Sequence, residues 1–172
     1  MTDGRAELIG RIRRLARDRG LQVRAADFDL DRLRVLRRAV VHTNHPTFGY
    51  LIEASDLQVK AVWGPEFLKF PPWAAGADLM FAEAAGWNRP IRFIGGVGGH
   101  LDTLSVAREA RRFGVRRLVF AHIGRATIRA MDRGERSPFG QFAGDGQAFA
   151  LGSRRRVIDR IIGEESDHGE KA

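Results

Sequence analysis

A chain of 172 residues, 44% of them hydrophobic, is long enough to bury one sizeable core, since a domain of this size hides roughly two thirds of its unfolded surface. The absence of cysteine excludes disulfides and thiolate metal sites and leaves histidine, aspartate and glutamate as the strong ligands. The formal charge of +8, from 29 basic against 21 acidic residues, favours phosphate-bearing partners, while no long apolar run or charged-then-apolar leader points to a membrane partner or secretion, so a cytoplasmic protein is expected.

Residues 5–19 place Leu8, Ile9, Ile12, Leu15 and Ala16 on one face of an amphipathic helix that Gly20 ends. Residues 21–25 and 33–36 read as short strands around an acidic turn at 27–31. Residues 39–41 end a buried strand, His42 follows it, and a loop holds His45 and Pro46. Residues 48–53 resume as a strand, turn at Ser55 and Asp56, and pair back through 58–63 until Gly64, Pro65 and Glu66 break the hairpin. Residues 71–77 form a loop, and 78–83 a strand whose last residue, Glu83, either supports a site from behind or is an exposed strand end.

A further apolar strand ends at Ile94 in a run of Gly95, Gly96, Gly98 and Gly99. The run matches neither a dinucleotide fingerprint nor a Walker loop, so it is expected to be a tight turn that brings His100 to the surface, where His100 opens a helix. Asp102 and Thr103 supply the N-cap, Ala107, Ala110 and Phe113 share one face, and Gly114 is the stop. Residues 118–121 form a strand that delivers His122. Then come a short helix at 126–132, a loop at 134–146, an edge strand at 147–151 and a last helix at 154–162. The expected organisation is one domain over 1–162 and a flexible tail over 163–172, in which His168 is inert.

Taken singly, a loop histidine or glutamate is more often solvated or hydrogen-bonded than a ligand. What singles out His42, Glu66, His100 and His122 is that each lies just past a strand, the position from which loops of an open α/β layer converge on one crevice. Arginine supplies 26 of the 29 basic residues, spread among acids and without any nucleic-acid-binding motif, so a solvated basic surface is favoured over a nucleic-acid patch.

The pieces AVVHTNHPTFGYLIEA, VKAVWGPEF, GADLMFAEA, GGHLDTLSVAREARRFGVRRLVFAHIGR and FAGDGQAF resemble, in this order, the second half of the metallo-β-lactamase superfamily. The similarity is greatest to the branch containing the cyclic-phosphate phosphodiesterase of the carbon–phosphorus lyase pathway and tRNA 3′-processing ribonuclease Z. The resemblance implies an α/β fold, a metallo-β-lactamase-like αβ/βα sandwich of which only the second half, a mixed sheet with flanking helices, is present. It also implies a metal-dependent hydrolase with zinc or manganese, acting on a small phosphoester or other ester.

Carried over, the metal ligands are His42, Glu66 and His122, with His45 as the alternative to His42, and His100 is the catalytic residue that assists the leaving group or contacts phosphate. The family's bridging residue is aspartate where this chain has Glu66. Its H-x-H-x-D-H segment, which supplies most of the ligands, has no counterpart, and residues 1–41 contain no histidine. The chain is thus expected to be a carboxyl-terminal half, with weak metal binding on its own and catalysis that needs a complementary half. The alternative is a non-catalytic interaction or scaffolding module, with a homodimer or the complementary half as partner.

Overall fold

In the computed structural model, which describes residues 27–30 and 32–151, a single sheet organises the chain. Its strands are β1 (Phe28–Leu30), β2 (Leu33–Val40), β3 (Thr47–Ala54), β4 (Val59–Gly64), β5 (Leu79–Ala84), β8 (Leu118–Ile123) and β9 (Gln141–Phe142), in the order β1-β2-β3-β4-β5-β8-β9. A small hairpin of β6 (Ile91–Arg92) and β7 (Gly99–His100) stands apart from it. Helices α1 (Thr103–Arg112) and α2 (Arg125–Asp132) flank β8 in sequence. The described residues contain no helix long and apolar enough to cross a membrane.

Pairing is antiparallel from β1 through β4 and parallel from β4 through β5 and β8 to β9. It follows that β2, β4, β5 and β8 all run the same way, and that the residues following them emerge at one edge of the sheet. The core lies on one face. Leu36, Leu51, Val62, Met80 and Leu118 form a row of direct register partners across five strands, and Val106, Ala107 and Ala110 of α1 cover it. Each fully buried side chain of this kind contributes roughly 1.5–3 kcal/mol. The opposite face keeps an aromatic stripe: Tyr50 pairs in register with Trp63 and Trp63 with Phe81, while Phe48, Tyr50 and Trp63 are 40%, 36% and 42% exposed.

Several expectations need correction. The two short strands at 33–36 and 39–41 are one strand, β2, because Arg37 and Arg38 continue the ladder with Tyr50 and Gly49. Arg37 also lies over the Phe48 ring at 4.5 Å. His100 belongs to β7 and does not open the helix; Asp102 caps α1, accepting a hydrogen bond from Ser105 N at 2.9 Å. The strand expected to end at Ile94 stops at Arg92, and Ile94–Gly96 is a 3-10 turn. The last strand is Gln141–Phe142, inside the expected loop, while 147–151 form none. The expected helices at 5–19 and 154–162, the strand at 21–25, the tail and His168 lie outside the described residues.

Candidate metal centre

The edge to which β2, β4, β5 and β8 point gathers the chemistry. His42 lies two residues past β2 and is buried, and its Nδ1–H donates to the carbonyl of Gly99 at 2.9 Å. That bond fixes the tautomer and leaves the Nε2 lone pair for another partner. The glycine run makes this approach possible. Gly98 sits at φ 137°, where a Cβ would run into the His42 carbonyl, and Gly99 N–H donates back to that carbonyl at 2.8 Å. The run is therefore a close-contact surface for the His42 backbone as well as a turn.

Glu66, two residues past β4, is half-exposed. Its Oε2 lies 3.7 Å from His42 Nε2 and its Oε1 4.0 Å from His122 Nε2. These separations are too long for hydrogen bonds. His100, from the small hairpin, stands between the other two imidazoles, with ring centroids 4.7 Å from His42 and 5.2 Å from His122. Phe93 presents an edge-on ring contact to both His42 and His100.

Behind the histidines lies Glu83, fully buried at the end of β5. Its Oε2 accepts from Phe67 N at 3.1 Å and shares a 2.8 Å hydrogen bond with His100 Nδ1; its Oε1 accepts from Ala85 N at 3.0 Å. Nδ1 of His122 lies 3.3 Å from Glu83 Oε1 yet makes no hydrogen bond, which leaves it a buried polar atom without one. A register shift sets this up: Ala82 pairs with Phe120 but Glu83 with His122, so Ala121 is the extra residue that puts the imidazole opposite the carboxylate. An exposed strand end is thus excluded for Glu83.

Burial pushes the Glu83 carboxyl up to about 7, against the pull of the Ala85 and Phe67 N–H groups and of His122 and His42. Burial likewise lowers the His100 imidazole, with Glu66 opposing. Both shifts favour neutral forms near neutral pH, so a carboxyl and an imidazole joined by one hydrogen bond are poised to share a proton.

The donor set fits a divalent transition metal. It offers an imidazole locked through its far nitrogen, a carboxylate reachable from solvent, a second imidazole with an unbonded buried nitrogen, and no thiolate. Among the described residues one tight group, Glu83, His100 and His122, has ligand atoms within 4.8 Å of one another. The wider set His42, Glu66 and His122 shares His122 with it. His45 is exposed, and its backbone turns against the Thr43 and Thr47 hydroxyls. The central role of Glu83 was left open by the sequence; its signal was an acid closing an otherwise apolar strand.

No family model and no curated protein sequence matches the chain. Solved structures do. The metallo-β-lactamase fold protein YhfI from Bacillus subtilis matches with a TM-score of 0.52 at 17% identity, covering 72% of this chain and 52% of its own. A diphosphatase of the PhnP family matches with a TM-score of 0.52 at 14% identity, covering 80% and 53% respectively. An isothiocyanate hydrolase from Delia radicum gut bacteria matches with a TM-score of 0.55 at 12% identity, covering 81% and 64%. The chain therefore spans between about half and just under two thirds of the length of these structures.

Proposed function

Taking as premise that this chain carries part of the metallo-β-lactamase fold, we propose that it is part of a metal-dependent hydrolase that cleaves phosphodiesters. The observation that carries the reading is the meeting of His42, Glu66 and His122 around His100 at one sheet edge. In this reading His42 and His122 offer Nε2, and Glu66 its carboxylate, to zinc or manganese. Glu83 is the weaker candidate ligand, because its oxygens already accept from two backbone N–H groups and one of them shares a hydrogen bond with His100. When bound, such a metal lowers the pKa of water and polarises a phosphoryl oxygen.

The chain's own residues supply the rest. With the Glu83 carboxyl protonated and donating to Nδ1 of His100, Nε2 is the atom that holds a proton for the departing oxygen. That one structural neighbour is a diphosphatase supports a phosphoryl substrate over a carboxylic ester. Three ligands make a weak site, and the family resemblance places further ligands in an H-x-H-x-D-H segment that this sequence lacks. Turnover therefore requires that segment from elsewhere.

Metal analysis after dialysis against zinc tests the assignment, with His42→Ala, Glu66→Gln and His122→Ala alongside the parent chain. The parent is expected to retain zinc that each variant loses. Chelator-resistant, stoichiometric metal surviving in all three variants, or no binding by the parent, would remove the reading.

The exposed Phe48, Tyr50 and Trp63 favour a second reading, in which the sheet face serves a non-catalytic module that pairs with another protein layer. A stable, metal-free dimer is the outcome that reading expects.

A further inference from the structure

Away from the histidine cluster, the outer side of α1 and the segment after α2 enclose a groove of about 700 Å³. Its walls carry Arg108, Arg111, Arg112 and Arg136, and Leu104 and Phe139 line it between them. The three arginines of α1 follow the spacing i, i+3, i+4, which puts them on one helix face, and Arg108 and Arg112 are separated by about 6 Å along the axis. Glu109, the acid of that helix, is held by Arg108 at 3.9 Å and Arg112 at 3.4 Å. Glu135, beside Arg136, is engaged by Arg133 at 2.6 Å and by the Trp87 indole N–H. The Arg111 guanidinium lies 5.8 Å from the centroid of the Phe139 ring. A second hollow of about 420 Å³ shares Arg136 and continues past Gln141 and Phe142.

We propose that this groove binds a single-stranded nucleic acid, its phosphates held by the four arginines and a base laid against Phe139. Guanidinium groups present planar forks that match phosphate oxygens, and an aromatic ring among cations is the arrangement on which unpaired bases stack. The formal charge of +8 draws a polyanion towards the whole molecule. An acidic peptide would use the cations but not the ring, and so is the lesser fit. The inference is independent of the metal centre and requires no turnover there.

Fluorescence anisotropy with a short fluorescein-labelled oligouridylate, in the presence of chelator, tests it. Four phosphate contacts on a single strand predict a log–log salt slope of about −3, so affinity should fall roughly fifty-fold between about 50 and 200 mM salt. The pair Arg111→Gln and Arg136→Gln should halve that slope, leaving a fall of roughly sevenfold over the same range. Arg34→Gln with Arg89→Gln removes the same charge elsewhere and should leave the slope as it was. No binding, or a parent slope near zero, overturns the proposal without recourse to any variant. So does an equal loss in both variant pairs, and so does tighter binding of a labelled polyglutamate peptide of matching length, which would assign the groove to an acidic protein.

Discussion

Glu83 shows how much a single residue's role depends on what the chain packs around it. In the sequence it is one acid at the end of LMFAE; in the fold it has no exposure and accepts from two backbone N–H groups while contacting two imidazoles. Replacing it with glutamine puts an amide NH2 where an acceptor is needed, so one buried N–H loses its partner at a cost of about 1–3 kcal/mol. Because the same carboxylate orients His100 and faces His122, Glu83→Gln should also weaken zinc binding about 10–100-fold. Urea unfolding and a zinc titration read the two effects separately. Unchanged zinc affinity would show that neither ring depends on Glu83 for its orientation.

At the scale of elements, α1 was legible from its cap at Asp102 to its stop at Gly114, though His100 does not open it. Asp102, the small residues Ala107 and Ala110 and the stop at Gly114 are local signals, and the capping bond to Ser105 N is made. Asp102→Ala should cost about 1 kcal/mol in chemical denaturation. A larger loss would implicate the backbone bridge between Asp102 and Gly86, which ties the start of α1 to the end of β5. The hairpin β6–β7 and the strand β9 were not legible. Each of these strands is two residues long, too short to show any alternation; β9 adds to β8, while β6 and β7 pair with each other and the hairpin is anchored by Gly99 N–H donating to the His42 carbonyl. In β2, consecutive arginines hid the continuity of one strand. Their side chains fall on alternate faces, and Arg37 is accommodated over Phe48.

For the molecule as a whole, metal binding and stability are linked. With zinc at about 100 times its dissociation constant, the folded state gains about 2.7 kcal/mol. For a chain of this size that corresponds to a Tm rise of roughly 5–10 °C. A thermal melt should show the rise with zinc, its reversal by chelator and its loss in His122→Ala, whose parent ring contributes both an unbonded buried Nδ1 and an Nε2 facing Glu66.

By itself the sequence determined that His42 and Glu66 follow strand ends and carried the likeness to half of a known fold, because strand ends, glycine runs and helix caps are written in neighbouring residues; it placed His100 and His122 past strands too, whereas they lie inside β7 and β8. Only the tertiary structure decided that β2, β4, β5 and β8 point the same way, that Ala121 shifts the register so that His122 faces Glu83, and that four arginines border one groove. These are relations between segments distant along the chain, fixed by strand direction and packing against a shared core rather than by any local pattern.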